Sequence, residues 1–368
     1  MKQRNLLAKD KFQQLSSKVR KPQPNKLSLK LNNAFGFLLF SLLLSPVAAS
    51  AADITEQLHY PQIDKKVLIQ SRDEADILLR LGERQNIQGN PHKAVKSLLQ
   101  ALEIYHSIGD LNAIGLTYEF LGKSYVELKQ YKKANDAIRR RLAIARDTKD
   151  FPSQIFALNN IGTLLLQKGE FETASRTFEE ALTMAQKINS NEGYGISLSN
   201  LGLASARLGD YNKAVKLYKN ALNYRRKIGD PIGEANTLNN LGEAYEIVGN
   251  YQDIIGNYGS ALRLAKASRD NLNQLRAIDG LVAAHSSVGR YNRAFDLLEK
   301  RLEIARNLQS PLEELKSFES YARLYEKLGK YLTARNFYQR AITLAKNLED
   351  SRKEVLLRDR VTQMMKKS

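Results

Sequence analysis

The sequence predicts an all-α fold: an α-α superhelix, or solenoid, of seven helix-turn-helix units closed by a C-terminal capping helix. Three observations predict it. A phrase returns every forty residues, each period holds two apolar faces at helical spacing, and each period ends on a residue suited to cap a helix. The phrase reads NNIGTLLLQKGEF at 159–171, SNLGLASARLGDY at 199–211 and NNLGEAYEIVGNY at 239–251. Self-similarity at a fixed step marks stacked units that each bury their apolar side only against a neighbour.

The elements follow in chain order. Residues 1–30 carry nine Lys or Arg against one acid, Asp10, and FGFLLFSLLL then runs from Phe35 to Leu44, followed by SPVAASAAD. A basic stretch, a short apolar core and a small-residue tail are the three parts of a secretory signal. The expectation for 1–51 is a signal peptide cleaved after Ala51, giving an exported protein, periplasmic or extracellular. The alternative is an uncleaved signal anchor that holds the protein on a membrane, although the apolar run is short for a span and Pro46 soon breaks it. Without a twin arginine, the general export route is expected. Residues 52–70 lack a clear period and are expected to form a loose leader.

A frame starting at Ser71 then cuts the chain into 71–110, 111–150, 151–190, 191–230, 231–270, 271–310 and 311–350 with no insertion. Column 11 is Leu81, Leu121, Ile161, Leu201, Leu241, Leu281 and Tyr321. Column 12 is Gly from Gly82 to Gly242, then Val282 and Ala322. Columns 8, 11, 12 and 15 fall on one helical face, and columns 21, 24, 28, 31, 32 and 35 on the face of a second helix. Column 19, Gly in all units except Lys129, separates the two and can take the left-handed backbone that ends a helix. Small residues at columns 12 and 24 are expected where a neighbouring helix backbone passes close. The Tyr or Phe of column 21 is expected to fill space between units, worth about 1.5–3 kcal/mol when buried.

Column 40 reads Asp110, Asp150, Ser190, Asp230, Asp270, Ser310 and Asp350. Each is an N-cap type whose side chain can accept from the free N–H groups of the next helix. Pro152, Pro231 and Pro311 follow, where a first turn tolerates proline. The tail 351–368 reads as a capping helix, with Val355, Leu356, Val361 and Met364 expected to cover the last unit.

These phrases resemble the tetratricopeptide repeat, in its forty-residue form seen in kinesin light chains and Pins-type scaffolds. NNLGEAY (239–245), GDYNKA (209–214) and RLEIAR (301–306) carry the resemblance. Four positions depart from it. Arg141 and Arg301 stand in column 31 where Ala181 and Ala221 show the usual residue, Ile254 breaks column 24, and Lys129 replaces a turn glycine. Repeats two and six are therefore expected to pack more loosely or to bend the array.

The resemblance implies that the first helices line a concave groove holding a peptide or protein segment. Transferred to this frame, the groove residues are Phe156, Asn159, Asn160, Thr163, Ile196, Asn200, Leu203, Asn236, Asn239, Asn240 and Glu243. An Asn side chain both donates and accepts, so a row of them can bond the backbone of an extended peptide. Alternatively, the same residues bond adjacent helices. The first two units offer Leu79, Arg80, Glu83, Glu119, Phe120 and Lys123, which do not reproduce the family's carboxylate clamp. Arg276, Lys316 and Arg323 form a mixed patch with Asp279 and Glu319.

No cysteine is present, which excludes disulfides, thiolate ligands and a cysteine nucleophile. His59, His92, His106 and His285 show no metal spacing, with His285 in the packing column 15. The glycines sit in turns and seams, so no phosphate-binding loop is formed. The expectation is a protein that is not an enzyme, with no cofactor, no metal and no small-molecule substrate, and with a protein or peptide as partner. Nearly half of the formal +18 lies in the first thirty residues. The basic stretches 137–146 and 219–227 read as solvated helix faces. An anion-binding surface for polysaccharide, acidic lipid or nucleic acid is the alternative function, and a ligand-responsive regulatory module is a third.

Overall fold

The computed structural model of the chain describes residues 65–249 and 251–366. The expected signal or anchor, and the leader up to residue 64, fall outside the described residues. These hold fifteen helices and no strand. The first helix of each repeat is called A and the second B. The repeats are α1 (Lys65–Ile87) and α2 (Pro91–Ile108), α3 (Leu111–Glu127) and α4 (Tyr131–Asp147), α5 (Phe151–Gln167) and α6 (Phe171–Lys187), and α7 (Asn191–Arg207) and α8 (Tyr211–Ile228). They continue with α9 (Pro231–Val248) and α10 (Tyr251–Ala267), α11 (Asn271–Ser287) and α12 (Tyr291–Asn307), and α13 (Pro311–Lys327) and α14 (Tyr331–Asn347), before the last helix α15 (Ser351–Met365). The frame is reproduced, with one difference at its start. Residues 65–70 are helical, because α1 continues upstream of the repeat rather than leaving a loose end.

Every residue expected in column 40 caps the helix that follows. The side chains of Asp110, Asp150, Ser190, Asp230, Asp270, Ser310 and Asp350 each accept from the backbone N–H three residues on, at 2.8–3.3 Å. These bonds fix where each A helix starts and hence which face it buries. The turn at column 19 is left-handed in all repeats. Lys129, with φ 58°, adopts the backbone that Gly209 holds at 87°. The turn before each cap is left-handed too, at residues as different as Lys149, Arg269 and Glu349. Glycine takes that turn only at Gly109 and Gly229, and in every repeat the backbone N–H of the capping residue closes it by donating to the carbonyl five residues back, as Asp150 does to Ala145.

Column 12 is small for a different reason from the one expected. What approaches Gly202 is the Tyr218 ring of its own repeat, 2.6 Å from where a Cβ would stand. At Gly162 it is Phe178, at 2.3 Å. Tyr258 lies between Gly242 and Gly280, touching the sites of both missing Cβ atoms. The buried aromatic filler is therefore column 28, where Phe178, Tyr218, Tyr258 and Tyr338 are buried. Column 21 is partly open, and Tyr131 is 40% exposed. Column 21 keeps a joining role at Tyr251, whose hydroxyl donates to the Ala284 carbonyl of the next A helix.

The lid on the last repeat also differs in register. Leu357 and Met364 are buried and Val361 packs beside them, while Val355 and Leu356 face outward at 56% and 57% exposure. The Asp350 cap sets the phase of α15, and that phase selects Leu357, Val361 and Met364 as one stripe.

Candidate functional site

Beyond contacts between consecutive helices, A helices also touch A helices of the next repeat, as α5 does α7, α7 does α9, and α9 does α11. B helices make no comparable contact with one another among the described residues. The A helices are thus the inner, closer-spaced layer, and their outward columns face the concave side.

Column 9 decides how neighbouring A helices meet. Buried Asn159 of α5 donates to Ser197 Oγ of α7 at 2.9 Å. Ser199 of α7 pairs with Thr237 of α9 at 3.1 Å. Asn239 of α9 donates to the Asn273 carbonyl of α11 at 3.1 Å and to its side-chain oxygen at 3.0 Å. Each of these seams is a direct bond between helices, and Ala181, Ala221 and Ala261, which fill column 31 of the same repeats, are fully buried.

Repeats two and six are built otherwise. Column 9 is acidic there, as Glu119 and Asp279, and column 31 of the same repeat supplies an arginine. Arg141 reaches Glu119 at 3.5 Å and Asp150 at 3.3 Å, and also donates to Ser153 on α5. Arg301, with a side chain 1% exposed, holds both oxygens of Asp279 at 2.6 and 3.0 Å. It continues to Ser317 Oγ at 2.7 Å, the Glu313 carbonyl at 2.9 Å and the Glu313 carboxylate at 3.1 Å on α13. At these seams an arginine is interposed, and α3 with α5, or α11 with α13, makes no contact comparable to the central pairs. What differs at Arg141 and Arg301 is the approach of neighbouring A helices across these two seams.

The charges match this geometry. Burial opposes the Arg301 charge, but Asp279 and Glu313 outweigh it and raise the guanidinium pKa. Burial likewise opposes ionisation of Glu313, and Lys316 and Arg301 reverse that, holding its carboxyl below the ordinary range. At Asp150 the same opposition is overcome by the Ser153 hydrogen bonds and by Arg141.

Each arginine seam holds a cavity. The one between repeats two and three measures about 520 Å³ and has Phe120, Val126, Ile138, Phe156 and Leu164 among its walls, with Arg141 and Lys123 at polar positions. The one between repeats six and seven measures about 470 Å³ and is polar, with Arg301, Lys316, Arg323, Lys327 and Lys353 against Asp279 and Glu319. Both volumes lie within the range of ligand sites.

The expected groove residues divide accordingly. Phe156, Asn160 and Thr163 line the first cavity, the latter two exposed. Ile196 and Leu203 are half-buried, while Asn236 and Glu243 are exposed. The Asn row is largely packing: Asn159 and Asn239 are buried in the seams, and Asn200 donates to Asn159 Oδ1 at 2.9 Å. Arg276 holds Asn240 Oδ1 at 2.8 Å and Glu243 at 2.6 Å, which separates it from the patch expected with Lys316 and Arg323. The acid of column 9 paired with the arginine of column 31 was the sequence signal for the two cavities. Read column by column, it stays hidden.

Stacked two-helix units with an inner A layer and side pockets at two seams define an α-solenoid of the helix-turn-helix repeat class. Family models described as tetratricopeptide repeat match residues 73–147, 153–227, 233–307 and 315–348, and the chain belongs to that family. Among solved structures, the apo form of the quorum sensor NprR from B. thuringiensis aligns with a TM-score of 0.62 at 17% identity, over 76% of this chain and 79% of that one. The apo form of RapI aligns at 0.60 and 15% identity, over 76% of this chain and 100% of that one. The Rap conjugation gene regulator of plasmid pLS20, in complex with the Phr* peptide, aligns at 0.58 and 18% identity, over 79% of each chain. At these identities the likeness is one of fold. Outer dynein arm-docking complex subunit 4 from Homo sapiens is 27% identical over 119 residues, 32% of this chain and 18% of that protein. The match takes in less than a fifth of that relative.

Among the described residues, no group of three or more His, Asp or Glu side chains is placed to hold a metal ion, and no helix is long and apolar enough to cross a membrane.

Proposed function

We propose that this protein is a non-catalytic interaction scaffold that holds a peptide or protein segment along the concave layer of A helices. The observation that carries the reading is the pair of cavities opening between A helices at the ends of a closed central stretch. A peptide complex of one structural neighbour, the pLS20 regulator with Phr*, supports a peptide as the occupant. The basic and apolar leader before residue 52 supports export, to the periplasm or outside the cell.

Photoreactive residues at Asn160 and Thr163, on the cavity rim, test the scaffold reading, with a control at exposed Lys216 on α8. The expected result is crosslinking to a defined protein segment from the rim positions alone. Equal labelling from all positions, or no protein captured together with turnover of a metabolite, contradicts it. Export is tested separately by sequencing the N-terminus of the mature protein: a start at Ala52 agrees, and an intact leader in the membrane fraction points to an anchor.

A further inference from the structure

The two arginine seams differ from each other as sharply as they differ from the centre. Phe120, Val126, Ile138, Phe156 and Leu164 form the larger part of the first cavity's walls, with Arg141 paired to Glu119 and Asp150 and with Lys123 at its polar edge. A large apolar side chain entering there would meet those five residues and would leave water at no cost. The second cavity is lined by Arg301, Lys316, Arg323, Lys327 and Lys353 against Asp279 and Glu319, so its bases outnumber its acids. Lys316 meets Glu313 and Arg323 meets Glu319, yet Arg323 and Lys316 remain 69% and 48% exposed. Between them, the central seams bond Asn, Ser and Thr side chains of neighbouring A helices directly to one another. The two cavities lie on the same inner layer, four repeat steps apart.

We infer that these cavities are the two specificity pockets for one extended partner segment. The pocket at repeats two and three takes a large apolar side chain, and the pocket at repeats six and seven takes carboxylates. This rests on the scaffold reading and deepens it. Neighbouring helices pack roughly 8–10 Å apart, so four steps amount to about 30–40 Å of groove. An extended chain covers that in roughly ten residues. The partner is therefore a segment whose apolar anchor and acidic cluster are separated by about that length, with little constraint between them.

A random linear-peptide library, long enough to span both seams and displayed on phage, provides the probe. It is selected against the full chain, against Thr163→Trp, which fills the apolar pocket from an exposed position, and against Lys316→Gln/Arg323→Gln. Wild-type selection is expected to enrich one large apolar residue and an acidic cluster at the stated spacing. Thr163→Trp is expected to abolish the apolar preference and keep the acidic one, and the double variant to do the reverse. Synthetic copies of the winners are expected to bind each variant about tenfold more weakly. Thermal melting of both variants, unchanged from wild type, shows that the fold persists.

Winners that lack either determinant, or that ignore both variants, overturn the pocket assignment while leaving the scaffold reading standing. No enrichment by the wild-type chain, with no rim crosslinks, overturns both. Retention by acidic content alone, abolished by moderate salt, contradicts the apolar pocket and marks a polyanion surface instead.

Discussion

The centre of the array and its two ends solve the same packing problem with different chemistry. Between repeats three and six, Asn159, Ser199 and Asn239 bond one A helix directly to the next, and column 31 of these repeats is a buried alanine. At repeats two and six, Glu119 and Asp279 bond an arginine, which in turn bonds the next helix. The first arrangement closes the seam and consumes its polar groups. The second inserts a long side chain, parts the helices and leaves a cavity. At the join between the last repeat and α15, Lys353 of the next helix meets Glu319 directly at 2.6 Å, with no residue of the B helix between them. A repeat can therefore keep its frame and still open a binding recess by changing two columns together.

The contrast can be broken at several points, starting with the largest effect. Phe178 is fully buried against Gly162 in the closed region, so Phe178→Ala is expected to lose about 3–5 kcal/mol by chemical denaturation. Arg301→Ala removes the cation shared by Asp279 and Glu313. A fully buried pair loses about 3–5 kcal/mol when one partner is deleted, and half-exposed Asp279 can rehydrate, so roughly 2–3 kcal/mol is expected here. Arg141→Ala is expected to cost about 1 kcal/mol, because Glu119 is 52% exposed. An equal cost for the two arginines contradicts the ranking by burial. Asn239→Ala deletes a buried bond between helices and is expected to cost about 1 kcal/mol, even with no partner present.

Hydrogen exchange sharpens the same comparison. Amides of α4, α5, α12 and α13 are expected to exchange faster than those of α7 to α9, since local opening follows the density of packing. The smallest effect is on pH. Burial, followed by Arg290 and Arg293, lowers the His285 pKa from 6.5, so the unfolded chain takes up a proton that the folded chain resists. Its contribution to stability is complete above about pH 6.5 and declines as pH falls below that value. His285→Tyr, the residue type of Tyr245 and Tyr325 in this column, is expected to remove that slope.

Much of the fold could be read from the sequence because the repeat multiplies weak signals. One Asp at a boundary says little, but seven capping residues at a fixed step define where every A helix begins. Where the reading went astray, two residues competed for one job. Column 21 looked like the filler because its aromatics are so regular, yet column 28 points inward against the glycine. Val355 and Leu356 looked like the lid, but the Asp350 cap turns them to solvent. The groove was only partly legible. Phe156, Asn160 and Thr163 came to the groove through the resemblance to the tetratricopeptide repeat, transferred onto the repeat frame. The fate of Asn159 and Asn239 depended on the helix across the seam, which no single repeat contains. Arg141 and Arg301 stood out as departures, while their acidic partners lay in the other helix of the repeat.

The central claim is that an interposed arginine parts the A helices. Because the chain has no cysteine, pairs of nitroxide labels can be placed on introduced cysteines without interference. Labels at Lys123 and Thr163 span the arginine seam, and labels at Thr163 and Leu203 span the neighbouring closed seam in the same column. Dipolar broadening is expected to give a longer separation for the first pair, and Arg141→Ala is expected to shorten it toward the second. Equal separations in the wild-type chain, or no response to Arg141→Ala, contradict the account.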